Sequence, residues 1–294
     1  MKNFYKIAGK KITIEGADEE ALDFFAGFEA EEGGETFISF RAHPAGNLEA
    51  SGAEDPASSG KQGPLFGFQL DRRRDGGHLI RSPKNPRERL KASPDWKECA
   101  VFSNPLAGAG APERKTEPGY PGLILGAMTM RGAFEGMLLL HASAVSFGGR
   151  ALVFTAPSGS GKTTQAELWQ RCLDAEILNG DKVFLVKREE GFYAAGSPWT
   201  GSSPYKSRRM APLAALVVLS KGAGNRIRKL DMEETAERLF PNIFLPYWEE
   251  DCLSAALDTL DQLMKETPVF HFSCRKDETA VYTVKNAVFS GEEV

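Results

Sequence analysis

The 294-residue sequence is poor in cysteine and histidine, with four of each. No two cysteines form a CxxC pair and the histidines are equally scattered, which argues against a structural zinc site and a disulfide framework. No apolar run approaches the roughly 20 residues that a membrane helix needs. The start alternates apolar and polar residues, unlike a signal peptide. We therefore expect a cytoplasmic protein with no membrane partner.

A strong net charge is also lacking. The formal charge is −4, with 41% hydrophobic and 26% charged residues. This composition is normal for a globular protein and gives no broad attraction to nucleic acid or anionic lipid. We therefore expect no nucleic-acid partner.

Two stretches rich in glycine and proline, residues 42–64 and 104–122, divide the chain. The first has almost no large apolar side chains and predicts a flexible loop. We expect it to interrupt an N-terminal β-rich region over residues 1–105, in which Asp75-Gly76-Gly77 forms the turn of a hairpin. A second domain is predicted over residues 123–294.

The second domain mixes helical and strand patterns. Gly148-Gly149 separates two apolar strands and predicts a tight hairpin. Short hairpins force antiparallel pairing, so the predicted fold class is α/β with a mixed, largely antiparallel sheet. The predicted helices cover residues 123–139, 162–173, 231–240, 249–266 and 276–288. The predicted strands cover residues 139–147, 150–156, 175–181, 213–221, 226–230 and 268–274. A further hairpin is predicted over residues 182–198, with its turn at Glu190-Gly191. The strand over 226–230 is predicted to pair with the strand over 213–221.

The stretch APSGSGKT, residues 156–163, follows the GxxxxGK[ST] phosphate-loop pattern with alanine at the first glycine. Glycines let backbone N–H groups converge on a phosphate, and the following helix adds its dipole. The lysine supplies positive charge and the threonine a hydroxyl for Mg²⁺. The alternative is a plain Gly/Ser turn. The predicted nucleotide-binding residues are Ser158, Gly159, Ser160, Gly161, Lys162, Thr163 and Thr164.

Two further residues are candidates for catalysis. Asp181 ends the next predicted strand, where phosphate-loop enzymes hold a metal-binding acidic residue. We predict that it shares Mg²⁺ with Thr163 or accepts a proton, the alternative being a turn aspartate after Asn-Gly. A two-residue hairpin loop would place His141 opposite Ala156, beside the phosphate loop. The alternative there is a buried, hydrogen-bonded strand histidine.

A long Gly/Ser-rich segment over residues 196–210 carries Lys206, Arg208 and Arg209. We expect it to be mobile without nucleotide and to close over a nucleotide or present an acceptor site. A solvated basic turn is the alternative.

The stretches LLLHASAV, GGRALVFTAPSGSGKTTQAELW, AEILNGDKVFLV and GFYAAGSPWTGSS resemble the catalytic domain of HPr kinase/phosphorylase and its bacterial relatives. The resemblance covers about residues 135–220. It implies the phosphate-loop kinase fold shared with ATP-dependent phosphoenolpyruvate carboxykinase, with ATP and Mg²⁺ as cofactors. In that family a histidine assists an Asp-Asp pair, and the matching positions are His141 and Gly180-Asp181, so one aspartate is absent. Family hexamers make a homo-oligomer a possible state.

These observations predict an ATP- and Mg²⁺-dependent phosphotransferase acting on a hydroxyl of a peptide, protein or small molecule. The rival is a non-catalytic ATP-binding accessory protein, for example of a modified-peptide biosynthesis cluster. Retention of His141 and Asp181 favours the enzyme, whereas glycine at position 180 favours the rival. Carboxykinase chemistry is disfavoured because no second cluster of Lys, His and Asp is evident.

Overall fold

The structure of the chain, a computed structural model, describes residues 1–44, 61–62, 68–81, 88–103 and 119–289. The described residues fall into two units. One is drawn from Met1–Glu135 and Leu245–Ala256, and the other from Gly136–Phe244 and the chain from Leu257 onward. In the described part of the chain, no helix is both long enough and apolar enough to cross a membrane.

The first unit is built on an eight-stranded mixed sheet with the order β1-β2-β3-β8-β7-β6-β5-β4. In β1, Tyr5 and Ile7 are buried and Lys6 between them is exposed, which is the period-two pattern of a strand with one face in the core. The apolar helix α2 contacts β3, β7 and β8. The elements are β1 Lys2–Ile7, β2 Lys10–Glu15, α1 Glu19–Asp23, β3 Ile38–Pro44, β4 Lys61–Gln62, β5 Gln69–Arg72, β6 His78–Arg81, β7 Arg89–Ala92, β8 Glu98–Ser103 and α2 Tyr120–Ala133.

The predicted hairpin around Asp75-Gly76-Gly77 is confirmed, because β5 and β6 pair antiparallel on either side of it. The predicted loop over 42–64 is wrong at both ends. Residues 42–44 belong to β3 and residues 61–62 form β4. The intervening residues 45–60 lie outside the described residues, as do 63–67 and most of the glycine-rich stretch 104–122.

The second unit also has a mixed sheet, with the order β10-β9-β12-β13-β14-β16-β15 and β11 paired to β9. Strand β10 pairs with β14 as well, so β10, β9, β12, β13 and β14 close into a ring of pairings. The elements are β9 Met137–Phe147, β10 Arg150–Thr155, α3 Lys162–Leu173, β11 Glu176–Asn179, β12 Lys182–Arg188, β13 Gly191–Ala195, β14 Met210–Lys221, β15 Arg226–Lys229, α4 Met232–Leu239, a 3₁₀ turn Phe240–Asn242, α5 Glu250–Glu266, β16 Val269–Cys274 and α6 Glu278–Phe289. The first residues of α5 are assigned to the first unit.

The mixed, largely antiparallel character of this sheet is confirmed, since only β10–β14 and β14–β16 pair parallel among its described strands. The core is a cluster in which Phe154 and Trp169 of β10 and α3 pack with Phe272 and Val281 of β16 and α6. Three predictions are corrected. The helix predicted over 123–139 ends at Ala133, because Gly136 at φ +67° turns the chain into β9. Strand β15 pairs with β16 rather than β14. The β12–β13 hairpin turns at Glu189-Glu190, one residue earlier than predicted.

Candidate functional site

The glycine-rich loop lies where three parallel strands end. Strand β10 stops at Thr155, and α3 begins at Lys162. Strands β14 and β16 run parallel to β10 and end at the same edge of the sheet. Ligands of sheets of this kind bind at the carboxyl ends of the strands. The loop therefore occupies a position suited to a ligand.

The backbone of the loop is held in conformations that favour glycine. Gly159 has φ +75° and Gly161 has φ +105°. Gly161 is also the N-cap of α3, and no side chain caps that helix end. The first amides of α3 therefore remain available to an anion.

Lys162 folds back onto its own loop and is only 6% exposed. Its Nζ donates a hydrogen bond to the carbonyl oxygen of Ala156 at 2.9 Å and lies 2.9 Å from Nε2 of His141. Burial lowers the pKa of Lys162 below its ordinary value, and the negative charge of Asp181 partly opposes that shift. The ammonium group is thus already held at the mouth of the loop.

His141 occupies the position that the hairpin register predicts. Strands β9 and β10 pair from Phe147 with Arg150 to Ala142 with Thr155, which confirms a two-residue loop at Gly148-Gly149. The next residue of β9 is His141, whose Nδ1 lies 3.1 Å from Oδ1 of Asp181. Because Nε2 faces the Lys162 ammonium, which can only donate, we assign Nε2 as the acceptor from Lys162 and Nδ1 as the donor to Asp181.

Asp181 sits in the turn between β11 and β12 and has two side-chain partners. Its Oδ1 accepts from His141, and its Oδ2 accepts from Nζ of Lys182 at 2.7 Å. Burial would raise the pKa of Asp181, but the hydrogen bond from His141 and the charge of Lys182 outweigh it and hold the pKa far below its ordinary value. The carboxylate is therefore ionised at neutral pH.

Asn179 holds this turn in place and was not predicted as a site residue. It is fully buried, and its Oδ1 accepts from the backbone N–H groups of Asp181 and Lys182, both at 2.7 Å. Its Nδ2 donates to the carbonyl oxygens of Ser197 at 2.9 Å and Trp199 at 3.2 Å. One amide side chain therefore joins the Asp181 turn to the segment that follows β13.

That segment is packed at its beginning and forms an ion pair near its end, whereas its mobility without nucleotide stays a prediction. Ser197 and Trp199 are fully buried. Arg209 forms an ion pair with Glu176 of β11 at 2.6 Å, which keeps it off a phosphate in this conformation.

The segment packs so closely on the Asp181 turn that a side chain at either of two glycine positions would collide with a neighbouring residue. A Cβ atom on Gly201, which has φ +59°, would lie 2.6 Å from Oδ2 of Asp181. A Cβ atom on Gly180 would lie 1.9 Å from Oγ of Ser203. Ser203 therefore fills the space that a side chain at position 180 would need, and the site has one aspartate at this turn.

The remaining predicted residues lie on the loop and the first turn of α3. Oγ1 of Thr163 donates to the carbonyl oxygen of Gly180 at 3.3 Å. Thr163 therefore contacts the residue next to Asp181, the other predicted metal-binding residue. Ser158, Gly159, Ser160 and Thr164 complete the loop and the start of the helix. The structure also brings Lys276, which was not predicted, to 3.9 Å from the position a Cβ on Gly161 would take.

The donors present suit Mg²⁺ that is bound largely through a ligand's phosphates. Mg²⁺ prefers oxygen atoms and is held in many phosphoryl-transfer sites by one or two carboxylates together with phosphate oxygens. Thr163 and Asp181 supply a hydroxyl and a carboxylate. Among the described residues, no group of three or more His, Cys, Asp or Glu side chains could hold a metal ion alone.

Comparisons with known proteins show a distant likeness to a solved structure. No protein-family model and no curated protein matches the chain. Among solved structures, the chain is similar to the Hpr(Ser) kinase/phosphatase from Coxiella burnetii, with 10% sequence identity and a TM-score of 0.30. The match covers 51% of this chain and 91% of that chain. At these values the relationship between the two structures is a distant one.

Proposed function

We propose that this protein is an ATP- and Mg²⁺-dependent phosphotransferase of the HPr kinase-like type. The acceptor is a hydroxyl group on a peptide, a protein or a small molecule. The phosphate-binding loop, residues 156–163, and Asp181 would form the active site in the second unit.

The observation that carries this proposal is the continuous contact from Lys162 through His141 to Asp181. Lys162 belongs to the loop motif, His141 to the strand before it and Asp181 to the turn after the next strand. A plain Gly/Ser turn gives no reason for a buried lysine, a histidine and an ionised carboxylate to meet. In a phosphoryl-transfer site the lysine would neutralise the phosphates, the carboxylate would bind the metal or accept a proton, and the histidine would orient the carboxylate.

These contacts support the following proposed roles. The amides of the loop and of the first turn of α3 would bind the phosphates, with Lys162 neutralising the β- and γ-phosphates. Mg²⁺, held by Thr163 and Asp181 together with the phosphates, would supply charge neutralisation. Alternatively, Asp181 would accept the acceptor's proton, while His141 would hold the carboxylate in position or orient the acceptor hydroxyl.

The second candidate is a non-catalytic ATP-binding accessory protein. The observation in its favour is the glycine at position 180, where Ser203 leaves no room for a second carboxylate. Such a protein would use ATP to set a conformation or a partner's affinity. The two candidates share nucleotide binding and differ in turnover.

Calorimetry of ATP binding with Mg²⁺ tests what the candidates share. We expect Lys162→Ala to weaken ATP binding by about 10- to 150-fold, because a charge-assisted contact contributes about 1.5–3 kcal/mol. The matched control is Lys187→Ala, which removes a lysine paired with Glu266 at the other end of β12. Equal affinity in wild type and Lys162→Ala would overturn the assignment.

Single-turnover incubation with γ-labelled ATP separates the candidates. Release of labelled phosphate, or transfer to an added peptide or protein, supports the enzyme. Tight ATP binding without turnover, in the presence of candidate acceptors, supports the accessory protein.

A further inference from the structure

Both oxygens of the Asp181 carboxylate are engaged by side chains of this chain. Oδ1 accepts from His141, and Oδ2 accepts from the Lys182 ammonium at 2.7 Å. The Lys182 side chain is only 11% exposed, so its charge is poorly screened by solvent. The ion pair is therefore a close and partly buried one.

The backbone closes another side of the same oxygen. The Cβ position on Gly201 would lie 2.6 Å from Oδ2 and 2.8 Å from Cγ of Asp181, so the chain at Gly201 packs directly on the carboxylate. Lys182 and Gly201 together flank Oδ2. A cation that approaches this oxygen must therefore displace the Lys182 ammonium or stay close to it.

The charges around the carboxylate disfavour a free divalent cation. The Lys182 ammonium contacts the single carboxylate of Asp181, and the Lys162 ammonium lies against the far nitrogen of His141. A second carboxylate at position 180 is blocked by Ser203. Cations at contact distance repel one another strongly at low dielectric, so the protein alone offers a divalent ion little attraction.

We propose that Lys182 is a built-in counter-ion that competes with a divalent cation for Asp181, so that the cation is taken up only together with nucleotide. In this arrangement, which rests on the proposed function, the phosphates draw the Lys182 ammonium away from Asp181. The freed carboxylate then binds the cation that accompanies the phosphates. Lys182 thereby links cation binding to the presence of nucleotide.

Titration of the nucleotide-free full chain with MnCl₂, with free Mn²⁺ measured by electron paramagnetic resonance, tests the competition. We expect wild type to bind Mn²⁺ weakly and Lys182→Met to bind it about ten-fold more tightly or better, because a repelling charge is removed. Lys187→Met is the matched control, since it removes one positive charge from the same strand. It should bind Mn²⁺ as wild type does.

Adding Asp181→Asn to Lys182→Met should abolish the gain, because the competed ligand is then gone. Lys182→Gln, which keeps the length and an N–H donor without the charge, repeats the test if the methionine variant does not fold. Equal Mn²⁺ affinity in wild type and in the folded position-182 variant would overturn the proposal. So would a gain that survives Asp181→Asn.

Reciprocal coupling gives a second measurement. Mn²⁺ should strengthen ADP binding more in wild type than in Lys182→Met, because the variant's carboxylate is already free. If the wild type binds no nucleotide, the proposed phosphotransferase function is wrong. The nucleotide-free Mn²⁺ titration would still decide the role of Lys182. The two failures are therefore distinguishable.

Discussion

A histidine lies beside a carboxylate in each of the two units, and the surroundings of the two pairs differ. In the first unit, Nδ1 of His78 lies 3.7 Å from a carboxylate oxygen of Glu249. His78 stacks on Trp96, with ring centroids 4.2 Å apart, and its Nε2 is 3.2 Å from the carbonyl oxygen of Pro94. In the second unit, His141 bridges Asp181 and Lys162 at 3.1 and 2.9 Å and is partly exposed.

The difference shows that a histidine–carboxylate pair is not by itself a sign of a reaction site. His78 is 2% exposed, and burial lowers its pKa despite the opposing effects of Pro94 and Glu249. Its contacts are those of a core residue. His141 instead connects a carboxylate to the lysine of a glycine-rich loop at the end of parallel strands. Connection to that loop, rather than the pair itself, points to chemistry.

The largest difference between the two pairs is expected when their residues are replaced and the rate of turnover is measured. We expect His141→Ala and Asp181→Asn each to slow single-turnover phosphoryl transfer or ATP hydrolysis by about 10²–10⁴-fold, since they remove the proton acceptor or the group that orients it. Because the two act as a unit, the double variant should be little slower than the worse single one. His78→Ala, in a protein still folded, should keep the wild-type rate. Wild-type rates in both His141→Ala and Asp181→Asn would favour the accessory protein.

Asn179 holds the turn that carries Asp181. We expect Asn179→Ala to lower the free energy of unfolding by about 2–4 kcal/mol, because several buried backbone groups lose their partner. Turnover at a temperature where the variant is folded should fall as well, since the Asp181 turn loses its anchor. Chemical denaturation and single-turnover rates measure the two effects. A stability loss with an unchanged rate would limit Asn179 to a structural role.

Replacing Gly201 by alanine would cause both backbone strain and a collision with Asp181. Gly149 is a control that shows the effect of the backbone strain alone. Gly149 has φ +75° and open space at its Cβ position, so Gly149→Ala should cost about 1–2 kcal/mol of stability for the left-handed backbone alone. Gly201→Ala carries a similar strain and a collision with Asp181. We expect about 1 kcal/mol of additional loss and slower turnover. Equal losses in denaturant and equal rates would show that the approach is not tight.

The smallest effect concerns the pH dependence of stability at His78. Because its folded-state pKa lies below the ordinary value of about 6.5, the unfolded chain takes up a proton first as the pH falls. The contribution of His78 is therefore complete above about pH 6.5 and is lost progressively as the pH drops toward the folded-state pKa. His78→Gln should flatten the pH profile of stability between about pH 7 and 5. An unchanged profile would show that His78 titrates normally.

Much of the second unit was readable from sequence because its signals are local. The bounds of α3 follow from the loop motif, and Gly148-Gly149 set the register that brings His141 beside the loop. In the first unit, by contrast, strand β7, Arg89–Ala92, was not predicted, because its sequence lacks β-branched and aromatic residues.

The remaining features depend on residues distant in sequence. Asn179 precedes a glycine and suggests an ordinary turn, whereas its acceptors in Ser197 and Trp199 lie 18 and 20 residues away. Strand β15 pairs with β16 rather than β14, and this pairing depends on the order of strands in the whole sheet. The pairing of Lys182 with Asp181 was equally hidden, since a lysine beside an aspartate in sequence does not predict that their side chains meet.

The ring of pairings in the second unit has a consequence for how the protein folds. Strand β10 pairs with β14 only after the chain has passed through β11, β12 and β13, so the ring closes through contacts distant in sequence. Such contacts slow folding, because the entropy of a long loop is lost before they form. Strand β9 is part of this ring, the glycine-rich loop follows its strand β10, and the Asp181 turn precedes its strand β12. During synthesis the site can therefore assemble only after β14 has emerged, and a chain truncated before Met210 should hold no nucleotide.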